Sequence, residues 1–339
     1  MKKLFFASIT LALATSCATN LSYTGNTFKQ SYESITTADL KKHLYTIASE
    51  EMKGRNTGSE GIKKSAEYIT NEYKKYGISH PKSMNGFYQT IPSSFFGTRR
   101  GNTYPDSDNI LGYIEGTEKP DEIVVISAHY DHIGQNKDGK AYNGADDNGS
   151  GSVALLEIAE AFQKAKKRGK APKRSVLFLH LTAEEIGLLG SKYYVENPIF
   201  PLSNTVVNIN IDMIGRSDAD NLGKNYVYVI GSDKLSSDLK KINEAANKST
   251  HNLELNYKYD DPNDPMRLYY RSDHYNFAKH NIPATFFFDG VHEDYHKTTD
   301  TPDRIDYDLL KKRTQLIFAT AWELANRKDK IVVDQKGEN

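Results

Sequence analysis

Four apolar, β-branched runs each end in histidine or acid, and this pattern restricts the fold more than any other feature of the chain. They lie in EIVVISAHYDH, SVLFLHLTAEE, TVVNINIDMIG and PATFFFDGVHEDYH. Such runs read as buried strands. Between them stand amphipathic segments, such as VALLEIAEAFQKAKKRGKAP, with a broad apolar face for packing on a sheet and Gly169 and Pro172 as stops. Strands are predicted over 109–115, 122–129, 175–182, 205–212, 225–231 and 283–289. Helices are predicted over 38–51, 59–76, 150–168, 236–248, 273–280 and 306–327. The expected fold is α/β: a single domain with a mixed, mostly parallel central sheet and helices on both faces. The polar strand ends then share the carboxyl edge of the sheet, where open α/β folds build their sites.

Each polar residue has an ordinary structural reading alone. His129 and Asp131, two apart at a strand end, share a face. They fit a metal-binding histidine held by its carboxylate neighbour, or a solvated pair. Asp147, just before a helix, fits an N-cap, but a carboxylate can also bridge two cations. Glu184 and Glu185 repel one another unless a cation or proton is near; one could bind metal while the other accepts a proton. Asp212 is flanked by Ile211, Met213 and Ile214, where an unpartnered charge is costly. His292 and His296 could both be surface histidines. Together, two histidines and several carboxylates at one sheet edge suit zinc and a metal-assisted hydrolase.

The motifs resemble those of the M28 family of zinc peptidases, which includes bacterial leucyl-type aminopeptidases. The likeness rests on H-x-D (His129, Asp131), G-A-D-D-N-x-S-G (Asp147), T-A-E-E-x-G-L-x-G-S (Glu184, Glu185), N-x-D-M-I-G (Asp212) and D-Y-H-x-x-x-D-T-P-D (His296). It extends to RSDHYNFAKHNIPATFFF and the GRNTGSEG turn, spanning about residues 40 to 326. The resemblance implies a zinc-exopeptidase-like fold and two zinc ions per chain. It gives His129 and Asp212 to one ion, Glu185 and His296 to the other, and Asp147 to both. Glu184 would be the general base, Asp131 the orienter of His129, and Tyr295 a candidate for polarising the substrate carbonyl. The expected activity is release of N-terminal residues from peptides by water that the two zinc ions activate. A one-zinc glutaminyl cyclase, a carboxypeptidase of the same family and a non-enzymatic surface lipoprotein are the alternatives.

A formal net charge of zero over 339 residues gives no footprint for nucleic acid. Lys2 and Lys3 precede an apolar stretch too short for a membrane anchor, which reads as a signal peptide over 1–16. LATSC resembles a lipoprotein signal, with the single cysteine, Cys17, lipidated; ordinary cleavage after Ala14 is the competing reading. The protein is expected to be exported, as a periplasmic or outer-membrane/cell-surface lipoprotein of a bacterium. Residues 17–35 would be a polar tether, 36–330 the peptidase domain and 331–339 a tail.

Overall fold

The computed structural model describes residues 23, 25–99 and 101–335. Among these, eight strands form one sheet: β1 (Tyr88–Ile91), β2 (Ser107–Ile114), β3 (Lys119–His129), β4 (Arg174–Leu181), β5 (Thr205–Ile211), β6 (Tyr226–Ile230), β7 (Glu254–Asn256) and β8 (Ala284–Phe288). Their order is β1-β2-β4-β3-β5-β8-β6-β7. The central four, β4-β3-β5-β8, are parallel. Antiparallel pairings join β1 to β2, β2 to β4 and β6 to β8. This is the mixed, mostly parallel sheet that the apolar runs imply.

The helices are α1 (Asn26–Glu33), α2 (Thr37–Ile47), α3 (Glu60–Tyr76), α4 (Ser93–Phe96), α5 (Gly151–Lys167), α6 (Leu189–Glu196), α7 (Ser237–Lys248), α8 (His274–Ala278) and α9 (Tyr307–Asn326). Alternate residues of each strand face opposite ways, so β3 feeds two cores. Val124 and Ile126 join Leu155, Phe162 and Phe318 on the face covered by α2, α3, α5, α7 and α9. Ile123 and Val125 join Tyr194 and Phe277 of α6 and α8 on the other. From β3 the chain runs to β4 on one side and then to β5 on the other. The crevice beyond the carboxyl end of β3 is therefore a topological switch point.

Six elements differ from the sequence reading. Residues 26–33, expected in a polar tether, form α1, whose Phe28 is buried and stacks on Phe318 at 5.9 Å. One aromatic contact of this kind is invisible in a polar stretch until α9 is in place. The short β1, β7 and α4 carry too few residues for a periodic signal. Helix α6 follows the EEIGL turn, in a stretch to which the sequence pattern assigns no element. The first predicted helix also ends early, at Ile47, and residues 50–55 form a tight turn.

Candidate metal centre

His129 closes β3, and its Nδ1 lies 3.2 Å from the carbonyl oxygen of Asp131. A carbonyl only accepts, so Nδ1 carries the hydrogen and a neutral ring offers its lone pair at Nε2. That atom lies 3.2 Å from Asp212 Oδ1 and 3.4 Å from Asp147 Oδ1. Across the crevice, His296 Nε2 lies 3.0 Å from Asp147 Oδ2 and 3.3 Å from Glu185 Oε2. Asp147 thus presents one oxygen to each histidine. His296 Nε2 is buried without a hydrogen-bond partner despite these neighbours. Tetrahedral zinc with bonds near 2.0–2.2 Å sets its ligand atoms about 3.3–3.5 Å apart. The four separations, 3.0 to 3.4 Å, lie close to or slightly under that spacing, and nitrogen with carboxylate oxygen is a zinc donor set. The residues therefore fit two ions sharing Asp147.

The negative charge shows in the titration of the histidines. Burial works against protonation of His129, yet Asp212 and Glu184 raise its pKa well above the ordinary value. Burial also opposes protonation of His296, but Asp147 and Glu185 push it up to about 10. A metal must displace these protons.

Glu184 and Glu185 sit on the turn after β4. Asp131 accepts from both backbone amides, Glu184 N at 3.1 Å and Glu185 N at 3.4 Å, and from Thr57 Oγ1 at 3.2 Å. Its carboxylate stands 3.6 Å from His129 Nδ1, so it touches both the histidine and the acidic turn. Strand β3 already ends at His129, so the shared face comes from the loop that follows. Glu184 Oε2 is 3.9 Å from His129 Nε2. Atoms of His129, Glu184 and Asp212 lie within 4.8 Å of one another, as do atoms of His132, Asp147 and Glu185. Burial pushes the Glu184 carboxyl well above the usual carboxylate range; His129 pulls it down, while Glu185 and Asp212 add to the rise. Burial acts on Glu185 in the same sense, but His132 and His296 outweigh it and hold that carboxyl below the usual range. Tyr295 stacks on His296 with centroids 3.8 Å apart and lines the cleft with Asp147, Glu184 and Asp212. Burial raises its hydroxyl pKa, so it stays a donor at neutral pH.

His129, Asp147, Glu184, Glu185, Asp212, Tyr295 and His296 thus meet in one crevice, as the motifs imply. His132 joins them without having been singled out. Its buried Nδ1 donates to Glu185 Oε1 at 2.7 Å, which leaves Oε2 for His296. The signal was the third polar residue of HYDH. His292 is no ligand here: it is buried and pairs with Asp146 at 3.2 Å. Other supports lie far away in sequence. Asp300 accepts from the amides of Asp146 and Asp147. Asn148 Nδ2 donates to Ile211 O, tying the Asp147 loop to the end of β5. Ser272 Oγ donates to Asp212 Oδ2 at 2.7 Å. Three turns here hold positive φ at Ala183 (59°), Met213 (56°) and His296 (55°), each at a cost of about 1–2 kcal/mol.

Arg55, in the GRNTGSEG turn, is fully buried and donates to four carbonyls: Tyr130 O at 2.8 Å, Ile47 O at 3.0 Å, Asn143 O at 2.7 Å and Gly144 O at 2.8 Å. It fastens the His129 loop to the Asp147 loop. Burial lowers its pKa to about 10, with Asp147 and Asp300 opposing, so it is charged at neutral pH. Beside it, Gly54 has φ +66°, and a Cβ there would lie 1.9 Å from Gly134 O; only glycine fits. Arg55→Met strands four buried acceptors. At about 1 kcal/mol or more each, the expected loss is at least about 3 kcal/mol, read as a lower urea midpoint with unchanged slope. A wild-type midpoint would show that the four bonds contribute nothing net.

The chain is 37% identical over 106 residues to "Probable glutamate carboxypeptidase LAMP1" of Arabidopsis thaliana, covering 31% of this chain but only 14% of that protein. It is 26% identical over 282 residues to a "Probable leucine aminopeptidase" of Trichophyton verrucosum, covering 74% of each. The fold matches BSAP, a zinc aminopeptidase from Bacillus subtilis, with TM-score 0.65 and 18% identity, over 89% of this chain and 99% of that one. The sequence model of Peptidase family M28 matches residues 109–321, which include every side chain of the double cluster, and by that match the chain belongs to peptidase family M28.

Proposed function

We propose that this protein is a dizinc exopeptidase that removes N-terminal residues from peptides. The observation that carries the reading is Asp147, whose two oxygens face His129 at 3.4 Å and His296 at 3.0 Å. His129 and Asp212 would hold one zinc, Glu185 and His296 the other, with Asp147 shared. When bound, zinc supplies Lewis-acid polarisation of a carbonyl and makes water easier to deprotonate near neutral pH. Glu184 takes the proton of the attacking water at its carboxylate and later gives it to the leaving amine. Asp131 fixes the backbone of Glu184 and Glu185, His132 turns Glu185, and Tyr295 offers its hydroxyl toward the substrate carbonyl. The relatives named as leucine aminopeptidases support the N-terminal direction. A one-zinc cyclase has no use for the second histidine–carboxylate set.

The test is a panel of peptides with free and acetylated N-termini, read by mass spectrometry. Loss of the first residue from free peptides alone supports the proposal. C-terminal shortening of the acetylated set makes the protein a carboxypeptidase. Ring closure of N-terminal glutamine makes it a cyclase, and no change in any peptide leaves a non-enzymatic surface protein.

We further propose that residues 1–16 are an export signal and that Cys17, which lies outside the described residues, is lipidated. Among the described residues no helix is long and apolar enough to cross a membrane. Two or three acyl chains provide lasting attachment, unlike one. The wild type is expected in the detergent phase, and Cys17→Ser in the aqueous phase or unprocessed. Wild type recovered wholly in a soluble fraction sinks this assignment.

A further inference from the structure

The cleft beside the double cluster contains a cation that nothing among the described residues answers. It is small and open, with a volume of about 40 Å³, and its lining brings Asp147, Glu184 and Asp212 together with the apolar side chains of Met213, Leu268 and Phe286 and with Arg271. Arg271 is exposed, and among the described residues its guanidinium has no hydrogen bond or ion pair. Other arginines near the crevice are engaged: Arg55 with carbonyls, Arg216 with Asp294 at 2.9 Å and Arg313 with Asp289 at 3.2 Å. The backbone that carries Arg271 is fixed. Its amide donates to Leu268 O at 3.0 Å, and the next residue, Ser272, donates to the ligand candidate Asp212. The nearby carboxylates are engaged with the imidazoles: Asp212 and Asp147 lie 3.2 and 3.4 Å from His129 Nε2.

We infer that Arg271 is a specificity residue that takes a carboxylate of the substrate, which makes peptides presenting a carboxylate close to the scissile bond the preferred class. The inference rests on the exopeptidase reading. A guanidinium presents a planar fork that a carboxylate fills with two parallel bonds. In a cleft with an apolar wall such a pair is stronger than on open surface, since bound substrate excludes water from it. The carboxylate has two sources: the C-terminus of a dipeptide, or an acidic second side chain.

Three substrates separate these sources: Leu-Leu as free acid, Leu-Leu amide and Leu-Glu amide. Each is given to wild type, Arg271→Met and Arg271→Lys at saturating zinc, with kcat and KM measured for leucine release. The wild type is expected to favour at least one carboxylate substrate over Leu-Leu amide by about tenfold in kcat/KM. The favoured one, free acid or Leu-Glu amide, identifies the source. That ratio falls to about one in Arg271→Met, mainly through KM, and is partly restored in Arg271→Lys. Equal treatment of all three by the wild type, or the same ratio in Arg271→Met, overturns the inference and leaves the exopeptidase reading intact. A wild type that releases leucine from none of the three overturns both.

Discussion

Glu184→Gln is expected to lower turnover by about a hundredfold or more while two metal ions stay bound and the unfolding midpoint is unchanged. The amide has the size and shape of the carboxylate, and the backbone of residue 184 remains clamped by Asp131 at 3.1 Å. What it lacks is a site basic enough to take a proton from water and return it to the amine. An amine is a poor leaving group unless protonated, so both halves of the reaction suffer. Glu185→Gln is expected to behave differently. Glu185 faces His132 and His296 at 2.7 and 3.3 Å, so its loss weakens metal binding at one position before it affects chemistry. Glu184 also lies within ligand distance of His129 and Asp212, so the contrast is a real one. Metal content by elemental analysis, measured beside kcat, decides it. Equal metal loss in the two variants would make Glu184 a ligand and remove it from the base role.

Asp147→Asn is expected to disturb both metal positions and to abolish measurable activity. A carboxylate offers an anionic oxygen to each side, whereas an amide offers one good ligand oxygen and an NH₂ group that repels a cation. With Oδ1 beside His129 and Oδ2 beside His296, either orientation of the amide spoils one side, and the lost charge weakens the other. Wild type should hold two divalent ions per chain and the variant fewer than one under the same dialysis. Two ions retained in the variant would show that Asp147 does not bridge. A chelator should inactivate the wild type, and zinc should restore it. Because the neighbouring carboxylates raise the pKa of His129 and His296, metal uptake releases protons at neutral pH. Apparent zinc affinity should therefore rise with pH and weaken as the solution is acidified. A flat affinity between pH 6 and 8 would mean that the histidines bind no protons there.

The sequence determined much of this protein. The central parallel strands follow from apolar runs whose residues alternate between two cores, as Val124 and Val125 do. The residues of the double cluster follow from the placement of His129, Glu184, Glu185 and Asp212 at or just past strand ends, where chain direction alone gathers them on one edge. Tertiary structure decided what depends on packing partners distant in the chain. Phe28 makes a helix of a polar stretch only because Phe318 and Trp322 receive it. Arg55 reads as one charge in a glycine-rich turn, yet its acceptors lie 8 to 89 residues away. Asp300 holds the Asp147 loop from 153 residues beyond. His132 becomes a support for Glu185 only when β3 and β4 pair in register, and Arg271 lines the cleft beside Ser272, which donates to Asp212. Local patterning fixes which residues are buried and which edge they share. The partners of a buried charge depend on the closed fold, because only there does desolvation force each one to find an acceptor or a counter-ion.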